Sequence, residues 1–204
     1  MKEVIDFFNK TGTKTIGFNL LLNAKYKKFP KVSPYDANNF LLKAAEKAKN
    51  CGIYEDRIRR KIEAFKKEGK VYFKDCGAAG NQLVFFPNGN MGVCQAYLGT
   101  NEHIVGNIST SSPQEIVNSP ILKKWAKRSP VNIEVCKYCP AIGICGGGCV
   151  FNAEITTGDM FDIDKSFCIH SNMVLDWLLK KSIKNTLKIK ESVNLKDVSY
   201  RYVR

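Results

Sequence analysis

Seven of the chain's eight cysteines fall in its second part: Cys76, Cys94, Cys136, Cys139, Cys145, Cys149 and Cys168. Four of them form the run C-x2-C-x5-C-x3-C within VCKYCPAIGICGGGC. A C-x2-C pair can turn both sulfurs toward one metal centre. The residues that follow then have to wrap around a body larger than a single ion. A cubane cluster takes thiolates at separate corners, and its ligands can arrive from distant segments. Gly146, Gly147 and Gly148 suit that task, because without Cβ atoms the backbone comes close and its N–H groups can face sulfur. Structural zinc also uses four cysteines, usually as two short knuckles. Cys136/Cys139 makes one knuckle and Cys145/Cys149 a looser second, so zinc stays open as an alternative. Seven donors do not divide into fours, however, and the spacing favours iron–sulfur. Disulfides would be strained with four cysteines packed into so short a run. Seven inert buried thiols are no ordinary core.

Other residues carry weaker signals. His103 and His170 are the only histidines, and neither has a nucleophile nearby in sequence, so both read as structural or solvated. Asp159, Asp162 and Asp164 lack the spacing and the closing Glu of a calcium loop. Phe85, Phe86 and Tyr97 read as hairpin packing. The net charge of +13 is dispersed over Lys66, Lys67, Lys123, Lys124 and the tail from Lys180 to Arg204. That pattern describes a solvated surface rather than a nucleic-acid groove, and it would also suit an acidic peptide or electron carrier. No apolar run is long enough for a membrane span, and MKEVIDFFNK is no secretory signal. The expected location is cytoplasmic, where cysteines do metal or redox work.

The elements that must position these residues follow from periodicity. Val4, Ile5, Phe7 and Phe8 have helical spacing over Lys2 to Lys10, and Thr11-Gly12 ends that helix. Thr15 to Leu22 reads as a buried parallel strand. Ser33-Pro34 opens a long helix with Phe40, Leu41, Ala44 and Ala48 in phase, up to Cys51-Gly52. A basic helix then runs from Tyr54 to Lys67. Gln82 to Phe86 and Met91 to Cys94 flank Pro87-Asn88-Gly89-Asn90 as a hairpin. Ser112-Pro113 starts a helical stretch to about Arg128, broken by Ser119-Pro120, with Ile116, Val117, Ile121, Leu122 and Trp125 inward. A cysteine-dense loop follows Pro130, and a last helix covers roughly Ser171 to Ser182. The class is α+β. A single strand-and-helix unit cannot bury both faces of its strand, so the first seventy residues read as part of something larger.

The second part resembles the SPASM domain, the auxiliary-cluster module of radical SAM enzymes. The resemblance runs from about Asp75 to Leu178 and rests on several independent spacings: Cys76, Gly89-x4-Cys94, the four central cysteines and Cys168. DCGAAGNQLVFFPNGNMGVCQAYLG is similar to the hairpin bearing the family's first cluster, and HIVGNI to its exit. Upstream, IGFNLLL and GIYEDRIRRKIEAF resemble the last strand and helix of the radical SAM partial barrel. The resemblance implies a barrel remnant over 1–70, a SPASM domain over 71–182 with a hairpin and short helices around two clusters, and a basic tail over 183–204. It implies two [4Fe–4S] clusters: an outer one on Cys136, Cys139, Cys145 and Cys168, and an inner one on Cys76, Cys94 and Cys149. Some relatives carry a further cysteine between the first two positions; none stands here, which leaves one inner iron open to solvent or to a substrate cysteine unless Cys51 reaches it. That gap favours peptide over sulfatase maturation. Gln95 stands where relatives often have His.

The C-x3-C-x2-C motif that holds the SAM-cleaving cluster in this family does not occur in the sequence. The chain is therefore expected to be the C-terminal part of a larger or split enzyme, inactive alone, with S-adenosylmethionine bound only in the full-length or assembled form. Implied partners are a peptide or protein substrate (a cysteine-containing one included), a separate barrel chain, and an electron donor such as ferredoxin or flavodoxin. The alternative is a stand-alone electron-transfer or peptide-binding module without catalysis.

Overall fold

The computed structural model describes residues 2–21, 32–66, 72–78 and 80–187. Lys67, Gly69, Lys70, the end of the expected first strand at Leu22, and residues 188–204 of the expected tail lie outside them.

Helix α1 (Lys2–Lys10) buries Ile5 fully and leaves Val4 and Phe7 in solvent, so only one edge of its apolar stripe packs inward. Thr11-Gly12 ends it as the sequence predicts, with Gly12 at φ +76°. Strand β1 (Thr15–Ile16) pairs in parallel with β2 (Tyr54–Glu55), with Thr15 opposite Tyr54. Between them runs α2 (Pro34–Asn50), capped by the Ser33 hydroxyl, which accepts the Asp36 N–H. Leu41, Ala44 and Ala48 face the core; Phe40, also expected in phase, is 52% exposed and lies off the buried stripe. Tyr54-Glu55 belongs to the strand rather than to the basic helix, and α3 is Asp56–Lys66. The reason is the buried Glu55 carboxylate. It accepts the N–H groups of Arg57 and Ile58 at the start of α3, and that of Phe18 beyond β1. One side chain thus caps a helix and anchors the strand beside it.

The hairpin strands are shorter than expected: β3 (Val84–Phe85) and β4 (Asn90–Gly92). A third strand, β5 (Ile104–Asn107), continues the antiparallel order β3-β4-β5. Short helices α4 (Pro113–Asn118) and α5 (Pro120–Ala126) break at Ser119-Pro120, as predicted. Ser112 and Glu115 form a reciprocal capping box on α4. Val117 points outward, contrary to expectation: with Ile116 inward on the short α4, the next residue lies about 100° round the helix and faces solvent. Phe85 is also solvent-facing, whereas Phe86 and Tyr97 are buried. Beyond Pro130 come two 3-10 turns, Pro130–Asn132 and Glu134–Cys136, then α6 (Ile142–Cys145) and α7 (Val150–Thr157). The last helix, α8 (Lys165–Leu187), begins earlier than the sequence suggested, so Cys168 sits in its first turn. Among the described residues, no helix is long and apolar enough to cross a membrane.

Apolar packing links the expected barrel-like part to the cysteine-rich part. Leu42 of α2 and Ile58 of α3 share one cluster with Ala141, Ile144, Val174 and Leu178. A second cluster, around Met91, Val93, Tyr97, Trp125, Phe151 and Met160, supports the three-stranded sheet. Beside the first cluster lies Lys61 of α3, only 1% exposed. Its Nζ donates to the carbonyls of Ile144 (2.9 Å) and Cys145 (3.1 Å), and stands 3.6 Å from an Asp75 carboxylate oxygen. Replacing Lys61 with Met should lower stability by about 2–4 kcal/mol, because two buried carbonyls and a carboxylate lose a charged donor. Lys123→Met, at an exposed position, should change it by less than about 0.5 kcal/mol. Equilibrium denaturant melts of the two variants check this; equal midpoints would show that Lys61 contributes only packing.

Candidate metal centre

The seven cysteines of the second part sit on separate elements, and the fold sorts them into two neighbourhoods. In the first, Cys136 ends a 3-10 turn, Cys139 follows it, Cys145 ends α6, and Cys168 lies in the first turn of α8. Burial, then the nearby Cys145 and Cys139 sulfurs, push the Cys136 thiol up to about 11. Cys168 rises to about 12, from burial first and then from Cys145, Cys136, Asp164 and Cys139. The Asn172 amide ties two of these segments together, donating to the Cys168 carbonyl at 2.9 Å and reaching the Cys139 Sγ at 4.0 Å.

The second neighbourhood holds Cys76, Cys94 and Cys149. Burial raises the Cys94 thiol, opposed by the Ala96 backbone N–H donating to its sulfur, with Cys76 adding to the rise. Cys149 is raised to about 12 by burial, opposed by the Asn152 N–H, with Asp164, Cys94 and Cys76 adding to the rise. Cys149 stands at the N-terminal end of α7 and Cys94 before a short 3-10 turn, so local backbone donors reach both sulfurs. Cys76 is exposed. Cys51 packs half-buried against the cluster of Ile5, Ile16, Ala44, Ala48 and Ile53, and neither Cys94 nor Cys149 feels its charge. Among the described residues no three His, Cys, Asp or Glu side chains close on one point as a site for a single ion.

Asp164, weighed in the sequence only as a calcium ligand, and Asp75 and Lys61, which carry no site signal there, join the two neighbourhoods. Asp164, only 3% exposed, accepts from Asn152 Nδ2 (2.7 Å) and from the Phe167 N–H (3.2 Å), and more weakly from the Cys149 N–H (3.4 Å). It caps the helix bearing Cys168 while holding the segment bearing Cys149. Asp75, next to Cys76, accepts from Arg57 Nη1 at 2.8 Å, and its N–H donates to the Gly146 carbonyl at 3.0 Å. Gly146 has φ +73°, and a Cβ there would lie 2.5 Å from the Asp75 nitrogen, so only glycine lets these backbones meet. Lys61, described above, holds the Cys145 end of the same loop. Its ammonium is pushed down by burial, against the pull of Asp75 and Cys145. The apolar stripe Ile58, Ile62 and Phe65 around Lys61 was the one available hint of its burial.

Both histidines are structural, as their isolation in sequence suggests. Trp125 Nε1 donates to His103 Nδ1 (3.0 Å), which fixes the proton on Nε2, and Nε2 donates to Glu154 (2.8 Å). The Tyr97 hydroxyl donates to the same carboxylate. His170 is fully buried, its Nδ1 against Asn38 Oδ1 at 2.5 Å; burial, with Lys61 and Arg57 nearby, holds it neutral well below the usual range. Asp159 and Asp162 turn their carboxylates onto local backbone N–H groups.

Because the folded thiols hold their protons beyond the usual 9.0, the unfolded chain ionises first as pH rises. The metal-free protein should therefore lose stability between pH 9.0 and about 11, by more than about 1 kcal/mol per pH unit. Below pH 9.0 the contribution is complete. Anaerobic denaturant melts under thiol-reducing conditions measure this, and a flat profile would contradict the burial of the thiols.

Comparison with known proteins places this geometry. The SPASM family, described as an iron–sulfur cluster-binding domain, matches residues 76–140. The radical SAM cyclopropyl synthase TigE of Paramaledivibacter caminithermalis is 26% identical over 186 residues, which cover 88% of this chain and 37% of that protein. The chain thus spans well under half the length of that relative. In fold it is similar to anSMEcpe with AdoMet bound, with a TM-score of 0.64 at 18% identity over 92% of this chain and 51% of that one. It is also similar to anSMEcpe with AdoMet and the Cp18Cys peptide, with a TM-score of 0.58 at 16% identity over 91% and 54% of the two chains. Residues 76–140, which carry the cysteine-bearing hairpin together with Cys136 and Cys139, thus match an iron–sulfur cluster-binding domain, set in a mixed α/β fold like that of these solved structures.

Proposed function

We propose that this chain is the auxiliary-cluster part of a radical SAM enzyme that modifies a peptide or protein. On this reading Cys136, Cys139, Cys145 and Cys168 hold an outer [4Fe–4S] cluster, and Cys76, Cys94 and Cys149 hold an inner one. The observation that carries it is the separation of the thiols: Cys94 and Cys149 pack against the apolar cluster around Met91 and Trp125, Cys139 against that around Leu42 and Ile144, and the sulfurs bearing on each raised thiol come from its own set. The donor chemistry fits. Soft thiols converge from separate elements, a run of three positive-φ glycines lies between Cys145 and Cys149, and backbone N–H groups already reach two sulfurs. When bound, such clusters supply one-electron carriers and, at a three-thiolate set, an iron able to take a further donor. The chain's own residues hold the thiols in place: Asp75 and Lys61 brace Cys76 and Cys145, and Asp164 braces Cys149 and Cys168. The barrel-like β1-α2-β2 unit and α3 provide the surface on which this domain sits. S-adenosylmethionine chemistry belongs to the assembled enzyme, because C-x3-C-x2-C does not occur in this sequence. The peptide carried by one similar structure supports a peptide partner here, with ferredoxin or flavodoxin as electron donor.

Anaerobic reconstitution should yield brown protein with about eight iron and eight sulfide per chain. Cys139→Ala should retain about half of each and melt earlier, since the thiolates tie distant segments together. Stoichiometric zinc without visible absorbance would replace this reading with a zinc scaffold.

The three-thiolate inner set implies an exchangeable fourth position, better filled by a thiolate than by water. A cysteine-containing peptide should change the electron paramagnetic resonance of the reduced inner cluster, and its serine analogue should not. Cys51→Ala should leave that response intact. A response that emerges only in Cys51→Ala would identify Cys51 as the resident fourth ligand.

A further inference from the structure

Among the described residues, Arg128 is a buried cation with no carboxylate at ion-pair distance. It follows α5, where its N–H donates to the Trp125 carbonyl at 2.9 Å, and it is only 2% exposed. Nη2 donates to the Asp162 carbonyl at 2.8 Å. Nε and Nη1 are buried with no hydrogen-bond partner among the described residues. A guanidinium keeps its proton at any physiological pH, and burying one with two N–H positions unmet is strongly unfavourable. The acidic groups that bear on it are the thiols of Cys136, Cys145 and Cys168, together with Asp164. Asp164 already accepts from Asn152, Phe167 and Cys149, which leaves the sulfurs. Gly147 brings the glycine loop against the same group: a Cβ there would lie 3.3 Å from Arg128 Nη1 and 3.2 Å from Pro130 Cδ. At Cys94 and Cys149 the groups that oppose the rise of the thiol are backbone N–H donors, those of Ala96 and Asn152.

We propose that Arg128 is the built-in counter-charge of the outer thiolate set, its free Nε–H and Nη1–H donating to the sulfurs of the cluster held there and its charge favouring the reduced form. This rests on the iron–sulfur reading above. The redox step is the uptake of one electron by the cluster from an external carrier of the ferredoxin or flavodoxin class. No bond is made or broken, and the guanidinium proton stays in place. A cluster gains negative charge on reduction, so a fixed cation and N–H donors at its sulfurs raise its potential.

The test uses the anaerobically reconstituted chain, titrated potentiometrically with dithionite and followed by electron paramagnetic resonance. Iron and sulfide are measured on every sample, and Cys139→Ala identifies the outer signal by its loss. Arg128→Met should keep wild-type iron and the inner midpoint, while the outer reduction equilibrium becomes at least tenfold less favourable, a fall of 59 mV for one electron. Arg128→Lys, which keeps the charge but not the planar fork, should fall less. A change under twofold in Arg128→Met at full iron content would overturn the proposal. Should that variant fail to hold iron, the wild type decides. With guanidine-15N arginine, pulsed resonance of the reduced outer cluster should show nitrogen coupling that disappears in Arg128→Lys, and its absence in wild type would equally overturn the proposal. Iron-free wild type would remove both this inference and the reading beneath it. Full iron with neither shift nor coupling would remove this inference alone.

Discussion

Lys61 places a positive charge where the protein has almost no water, 1% exposed and aimed at the carbonyls of Ile144 and Cys145. A buried ammonium persists only when its three donors are met. Here the two carbonyls accept two of them, the Asp75 carboxylate stands 3.6 Å away as the ion-pair partner, and the Phe167 ring lies 4.8 Å from the nitrogen. These partners come from α6, from the segment before Cys76 and from α8. Fixing one side chain of α3 therefore fixes the relation of three segments that carry Cys145, Cys76 and Cys168. Arg57 and Arg60 of the same helix reinforce the joint, binding the carboxylate and the carbonyl of Asp75. The cysteine-rich part is thus braced by the basic helix of the part before it.

The two thiol neighbourhoods are separate in their charges but joined in their scaffolding. Gly146 touches Asp75, and Asp164 holds Cys149 against the start of the helix that carries Cys168. On the proposed reading the order in the chain is interleaved: Cys149 goes with Cys76 and Cys94 although it lies between Cys145 and Cys168. Three glycines with φ between +73° and +87° make that exchange possible, since the backbone has to leave one neighbourhood and enter the other within three residues.

The cysteine spacing was legible in the sequence, because thiolates have little other use at that density and the intervals are set by the body they surround. The helix boundaries marked by Gly12, Ser33-Pro34 and Ser119-Pro120 were legible for the same kind of reason: each is a local steric or capping event. The contributions of Lys61, Arg57, Asp75, Asp164 and Arg128 were not. A charged residue on an amphipathic helix reads as solvated until its partners are known, and theirs lie up to 84 residues away, as with Lys61 and the Cys145 carbonyl. β5 and α7 were missed because HIVGNI and VFNAEITT are short and owe their shape to neighbours. β5 is held by β4, and α7 by Tyr97 and the apolar cluster around Phe151. The early start of α8 escaped notice because its cap, Asp164, resembled one more loop aspartate.

Charge explains why the metal-free fold and the loaded fold need not be equally content with this arrangement. Burial holds the thiols of Cys136, Cys149 and Cys168 in their neutral forms well past ordinary pH. In that state Arg128 carries a full charge opposite neutral sulfurs, and two of its N–H positions go unmet. Coordination requires thiolates, so loading on the proposed reading releases protons and puts negative charge where Arg128 already stands. The side chain that is a liability without metal becomes a partner with it. The aromatic cluster of Tyr97, Trp125 and Phe151 packs beside Cys94 and Cys149. On the same reading the three-stranded sheet is tied to the inner set, because Cys94 and Cys149 both pack against its apolar support. The segment from Arg128 to Cys168, which carries Cys136, Cys139, Cys145, Cys149 and Cys168, gains most from that exchange on the proposed reading.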